Sequence, residues 1–157
     1  MFFNDGDQKS DSEKVIGNTG GIYYTNSNNN EIVIDKILET MSKGSGGDSP
    51  ENDLEALIYA QRKNKSSTEL ILIADNYSSV KDISLLTQLK VPVRIILCGT
   101  DWGIHPDYIE IAYKTKGSLH TIEQDIMKLE KMTNGKTLKI GKYSFVYSNG
   151  KFFKKRK

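Results

Sequence analysis

Apolar residues along this chain fall into two patterns that alternate. The first is a spaced stripe. Ile32, Val33, Ile34, Ile37, Leu38 and Met41 recur at intervals of three and four, which predicts an amphipathic helix ending near Lys43-Gly44. Leu54, Leu57 and Ile58 form a similar stripe over residues 50–63, where Arg62, Lys63 and Lys65 suit the negative end of the helix. Ile83, Leu86 and Leu89 predict a helix over residues 80–90. Another begins at Pro106 and carries Tyr108, Ile109, Ile111 and Ala112. A last one, over residues 123–132, would bury Ile126, Met127 and Leu129. The second pattern is an unbroken run. Residues 70–74 (Leu-Ile-Leu-Ile-Ala) and 91–98 (Val-Pro-Val-Arg-Ile-Ile-Leu-Cys) lack polar alternation, so they predict strands buried on both faces of a parallel sheet. Pro92 is tolerated there only because it stands at the strand's start. Shorter strands are expected at residues 20–25 and 118–122, and Phe2-Phe3 reads as the tail of a buried strand that stops at Asn4-Asp5-Gly6-Asp7.

Near the end the pattern changes. Residues 138–153 alternate, with turns at Gly141-Lys142 and Asn149-Gly150, which predicts a β-meander. The fold class that follows is α/β: a three-layer, Rossmann-like arrangement with a mainly parallel sheet flanked by helices. It occupies residues 1–133, and a C-terminal hairpin or meander with a basic tail, residues 134–157, packs on or beside it.

The helix over residues 50–63 opens from a glycine-rich loop, Ser45-Gly46-Gly47-Asp48-Ser49. Pro50 suits a first helical turn, Asp48 or Ser49 can cap it, and Asp48-x-x-Glu51 reads as a capping box. Helix-start chemistry therefore accounts for Asp48, Glu51 and Asp53 by itself, since acids there also face the positive end of the helix dipole. In parallel sheets, however, ligands bind outside the carboxyl ends of the strands. Those ends carry Asn4 to Asp7, Asp75-Asn76 and Thr100-Asp101, and the Asp48 loop lies on the same edge. Carboxylates gathered on one rim repel, and a hard divalent cation with oxygen ligands relieves them. Asp75, Asp48, Ser49 and Asp5 are the candidate metal ligands. Asn76, Thr100, Asp101 and Trp102 are candidate contacts for a partner on that rim.

Composition narrows the function classes. A net charge of +2 gives no bulk attraction to nucleic acid, and Lys154, Lys155, Arg156 and Lys157 read as a solvated basic end. Cys98, the single cysteine, lies in an apolar run and is expected to be a buried small hydrophobe. One cysteine makes no internal disulfide, which together with the lack of a signal-peptide pattern sets a cytoplasmic expectation. No apolar run approaches the ~20 residues that cross a bilayer. The Gly46-Gly47 loop lacks the Gly-Lys-Ser/Thr ending of a P-loop. His120 reads as a structural strand histidine, and His105 with Asp107 has no activated nucleophile to join.

Three stretches together resemble a von Willebrand factor type A (vWA) domain of bacterial type. Gly46-Gly47-Asp48-Ser49-Pro50-Glu51 with Leu54, Glu55, Ala56 and Leu57 is similar to the family's second metal-site loop and its helix. Leu70 to Asp75 resembles the strand whose terminal aspartate belongs to the third metal motif, and Ala112-x-x-Thr115-x-Gly117-Ser118 resembles the turn before the last strand. The resemblance implies a doubly wound sheet with a metal-ion-dependent adhesion site on its carboxyl edge. There Mg²⁺, with Mn²⁺ or Ca²⁺ as alternatives, keeps an open position for an acidic group of a partner protein. Asp75 matches the third motif, and Asp48 or Ser49 stands where the family often has threonine. The family's first motif, Asp-x-Ser-x-Ser, has no counterpart; Ser10-Asp11-Ser12 comes closest but follows no buried strand. The chain thus matches from the family's second strand onward. Either a shortened sheet closes up or, as we expect, this chain is the tail of a longer protein. The missing strand is central in the family, so its loss leaves two sheet edges unpaired, at about 1–3 kcal/mol per buried unpaired group. The functional expectation is a non-enzymatic adhesion or scaffold module, bound by another protein through the metal rim or an exposed sheet edge. Neither a membrane nor nucleic acid is expected as partner. The alternative is a metal-assisted hydrolase or phosphoryl-transfer enzyme using the same carboxylates.

Overall fold

A computed structural model describes residues 1–44 and 49–155 of the chain; Asp48, the basic-tail residues Arg156 and Lys157, and the side chain of Trp102 lie outside what is described. Two short strands, β1 (Phe2–Phe3) and β2 (Ile22–Tyr23), pair antiparallel as a separate ribbon. The helices α1 (Asn30–Ser42) and α2 (Asp53–Lys63) follow. Strand β3 (Leu70–Asp75) then pairs in parallel, over its whole length, with β4 (Val93–Cys98). Helix α3 (Pro106–Lys114) crosses over to β5 (Ser118–His120), parallel to β4, and β6 (Asp125–Ile126) closes that side antiparallel. The strand order is β3-β4-β5-β6. The meander β7 (Thr137–Ile140), β8 (Tyr143–Ser148) and β9 (Lys151–Lys154) forms a third sheet. The chain is thus a mixed α/β protein with a partly parallel sheet.

One core runs through these layers. Leu70 and Leu72 of β3, Val93, Ile95 and Leu97 of β4, and Leu119 of β5 project to one face, because side chains alternate along a strand. Leu54, Leu57 and Ile58 of α2 and Ile109 and Ile111 of α3 belong to the same cluster. The meander adds Phe145 and Phe152, and Tyr113 of α3 meets the rings of Tyr147 and Phe152 at centroid distances of 4.9 and 5.7 Å. Helix α3 is therefore covered on both sides, which explains why its residues Tyr108, Ile109, Ile111 and Ala112 are all buried.

The opposite face of the parallel sheet differs from expectation. Ile71 is 57% exposed and Ile73 65%, while Ile96 and Cys98 are exposed beside them. The unbroken apolar runs predict burial on both faces, but α2, the 3-10 helix Ile83–Gln88 and α3 all serve the same core. Helix α1 leaves Ile34, Leu38 and Met41 in solvent. Cys98 is therefore a surface thiol, not a core residue.

Three local expectations also change. Residues 123–132 are not helical: Thr121 accepts the amides of Glu123 and Gln124, the chain turns back into β6, and a 3-10 turn Leu129–Lys131 follows. A three-residue interval such as Ile126 to Leu129 suits a strand followed by a turn as well as it suits a helix. The segment over residues 80–90 holds only the 3-10 helix Ile83–Gln88. Phe2-Phe3 is half-buried and pairs with β2, outside the parallel sheet.

Candidate functional site

Helix α2 begins at Asp53, three residues after Pro50. Glu51 is held extended by a parallel bridge to Val80, and the Lys81 amide donates to its carbonyl at 2.9 Å. Asn52 occupies the cap position but its side chain makes no capping bond. The first amides of α2 are met from elsewhere: the Leu54 and Glu55 N–H groups donate to the Asp82 carboxylate at 3.1 and 2.6 Å. A carboxylate in this place also faces the positive end of the helix dipole. Burial pushes the Asp82 carboxyl up to about 6, and the two N–H bonds oppose that rise. Replacing Asp82 by alanine is expected to cost about 1 kcal/mol, the usual worth of a lost cap. A lowered midpoint in urea with an unchanged slope checks it.

Glu55, in the first turn of α2, points the other way. Its carboxylate accepts the Thr19 N–H and hydroxyl at 2.9 and 3.0 Å and the Gly17 N–H, which fastens the loop before β2 onto the helix.

Between β1 and β3 the two strand edges leave a slot. No strand pairs with β3 on the side away from β4 among the described residues. The Leu70 amide donates to the Pro92 carbonyl at 2.9 Å, which fixes the phase of the ladder. The N–H and C=O groups of Ile71 and Ile73 therefore point away from β4. They open onto a cavity of about 540 Å³ whose other wall includes Phe2 and Phe3. Ile37 and Met41 of α1 and Ala56 and Leu57 of α2 line it as well. At the carboxyl end of β3 the lining turns acidic with Glu51, Asp53 and Asp75, and no Lys, Arg or His is among the described residues that line it.

Asp53 is the centre of that end. It is 1% exposed, and its Oδ2 accepts the Tyr108 hydroxyl at 3.2 Å. Its Oδ1 is buried with no hydrogen-bond partner. Burial, then the charge of Asp82, pushes the Asp53 carboxyl up to about 7; Glu51 and Asp75 add to the rise and the Tyr108 bond opposes it. The Tyr108 phenol is raised too, by burial and by the Asp53 charge.

The residues proposed from sequence are placed as follows. Asp75 ends β3 beside the slot, and its Oδ1 accepts the Tyr77 amide at 3.0 Å. Asp5 is fully buried and accepts the ammonium groups of Lys14 and Lys81 at 2.8 and 2.6 Å. Ser49 is exposed, and its carbonyl accepts the Ser78 hydroxyl. Asp48 lies outside the described residues. No group of three His, Cys, Asp or Glu side chains that could hold a metal ion occurs among the described residues. The described members of the metal set thus do not fit one divalent shell, since the Asp5 charge is met by two lysines. Asn76 is buried and ties the end of β3 to the loop before α3: its amide donates to the Gly103 carbonyl and its Oδ1 accepts the His105 N–H at 2.7 Å. Thr100 and Asp101 line a separate cavity of about 200 Å³ facing the meander, where the Tyr143 hydroxyl donates to the Asp101 carbonyl at 2.8 Å. Trp102 ends the 3-10 helix Thr100–Trp102.

Glu51 and Asp53 are the site residues that sequence reading sets aside. They are visible as acids at a helix start, where dipole and capping already explain them. Tyr108 carries no local signal, because it meets Asp53 from a segment 55 residues away.

A hydrogen-bonded chain on β5 and β6 has the connectivity of a nucleophile, a base and its orienting acid. Ser118 Oγ lies 2.8 Å from His120 Nε2, and His120 Nδ1 lies 2.7 Å from Asp125 Oδ1. Ser118 is only 3% exposed and lines neither cavity, so the chain's evident role is to hold β6 against β5.

The chain matches no family model, no curated protein and no solved structure. No helix among the described residues is long and apolar enough to cross a membrane.

Proposed function

We propose that this chain is a protein-binding module of vWA-like build, and that it takes an extended segment of its partner into the slot beside β3. The observation that carries this reading is a strand edge, unpaired among the described residues, that opens into a mainly apolar cavity of about 540 Å³. Sheet edges in natural proteins are usually guarded by a charge, a proline or a bulge. The edge of β3 has none between Leu70 and Ala74. A partner strand supplies the missing bonds from its own backbone, and its side chains fill the pockets on either side. The metal implied by the vWA resemblance enters no step of this reading.

The test uses fluorescein-labelled peptides of alternating valine and threonine, about six residues long as strands usually are, with one terminal position varied among lysine, norleucine and glutamate. At least one member should bind saturably, measured by anisotropy. Methylating its backbone nitrogens at alternate residues should weaken it at least tenfold. Ile73→Pro removes one edge donor at a position where an edge strand accepts proline, and it should weaken the same peptide about tenfold while the circular dichroism spectrum holds. A methylated peptide that binds as well as its parent, or no saturable binding by any member, rejects strand addition.

A further inference from the structure

The acidic end of the slot has no role in strand pairing itself, and it sets a requirement on what enters. We infer that the segment accepted beside β3 carries a lysine or arginine at the end that reaches Asp75, and that its cationic head is held by Asp53 and Asp75. This rests on the strand-addition reading and names the chemistry of the partner.

Two independent features meet there. The first is charge: Glu51, Asp53 and Asp75 line one end of the cavity, and no basic side chain among the described residues lines it. The second is the Asp53 carboxyl group, 1% exposed, with Oδ1 lacking any hydrogen-bond partner. A buried polar atom without a partner is uncommon and costly, and it marks a place where a donor is missing. The slot also has the right sequence of environments for a long basic side chain. Ala56, Leu57 and Ala74 offer apolar surface for a methylene stem, and the carboxylates lie beyond. A divalent ion suits the place less well. It asks for about six to eight oxygen ligands, more than the three carboxylates at this end supply by themselves. A lysine or arginine brings its own donors and needs only the oxygens already in place.

The dependence of binding on the Asp53 charge follows from the same geometry. Burial and its acidic neighbours raise the Asp53 carboxyl to about 7. An incoming cation favours the ionised form, so binding releases protons below neutral pH. Asp82, Glu51 and Asp75 are the charged groups that face it, with Tyr108 donating from α3.

The valine–threonine peptides test this in two series, with the varied residue at the last or at the first position, since the segment's direction decides which end meets Asp75. In one series the lysine peptide should bind at least tenfold more tightly than the norleucine peptide, and the glutamate peptide more weakly still. Asp53→Asn should remove most of the lysine preference, and Asp75→Asn should reduce it. The lysine peptide should weaken as pH falls from 8 to 5, and the norleucine peptide should not. Lysine and norleucine peptides that bind equally, both still sensitive to backbone methylation, overturn the basic anchor and leave strand addition standing. Millimolar Mg²⁺ that binds calorimetrically without peptide and displaces the lysine peptide would assign the acidic end to a metal and overturn the anchor as well. Insensitivity to methylation in every peptide removes both ideas together.

Discussion

Asp53→Asn should make the unliganded protein more stable at pH 8, by about 2 kcal/mol, and change it little at pH 4. The Asp53 carboxyl titrates near 7 in the folded chain, against 3.8 as the ordinary value. At pH 4 the folded chain holds this proton and the unfolded chain holds it a little under half the time, so the two states differ by only a few tenths of a kcal/mol and an amide changes little. Between pH 4 and 7 the unfolded chain has lost the proton and the folded one still binds it. Stability falls with rising pH wherever the folded state binds more protons. For this group the loss builds through that window and levels off above 7. Each pH unit between the two values is worth about 1.4 kcal/mol, so a gap of about three units sets a ceiling near 4 kcal/mol. The new amide donor beside Tyr108 and water entering from the slot reduce the gain to about half. For a chain of this size that corresponds to roughly 4–8 °C in melting temperature. Thermal melts of both proteins at pH 4, 6 and 8 check the prediction. A difference that does not grow with pH would mean that Asp53 is not destabilising in the folded chain.

How much of this was legible from the residues depends on where each signal lies. β3 and β4 were readable because an unbroken run of Leu, Ile and Val of that length has few other outcomes in a chain of this polarity. α1, α2, α3 and the meander followed from spacing and from Asn149-Gly150. The failures share one cause: the deciding partner was remote. Pro50 and Asp48-x-x-Glu51 offer a complete local account of a helix start, yet the cap of α2 is Asp82, reached 28 residues later through Leu54. Burial on both faces of the sheet was inferred from Ile71 and Ile73, although a run of apolar residues shows only that a strand is apolar, not that anything covers it. The site divides in the same way. Asp75 is legible as the residue that ends a strand. Helix chemistry accounts for Glu51 and Asp53 locally, and only the cavity and the partnerless oxygen of Asp53 bring them to the site. Asp5 was grouped with the rim by its acidity, whereas Lys14 and Lys81 close around it.

Among the described glycines, Gly117→Ala should be the most damaging substitution, costing about 3 kcal/mol or preventing folding. The reason is distance, not backbone freedom. A Cβ on Gly117 would lie 1.9 Å from the Val93 carbonyl oxygen and 2.6 Å from its carbonyl carbon. Backbone cannot rotate away as a side chain can, so the end of α3 must lift off the start of β4. That movement strains two features at once. The Thr115 hydroxyl accepts the Val93 N–H at 3.2 Å, and the β4–β5 register begins with Arg94 against Ser118. Overpacking against a fixed neighbour costs about 1–3 kcal/mol, and losing the Val93 bond adds to it. The adjacent residue provides the control. Lys116 sits at φ 57, the left-handed position where glycine usually ends a helix, and the Gly117 N–H donates to the Ala112 carbonyl while the Lys116 N–H donates to that of Tyr113. The glycine thus stands one place beyond the usual stop, because the strand needs it more than the helix does. Lys116→Gly relieves a left-handed side chain and should gain up to about 1 kcal/mol. Urea melts of the two variants should move in opposite directions from the parent. A tolerated Gly117→Ala would mean that α3 and β4 are not packed this closely.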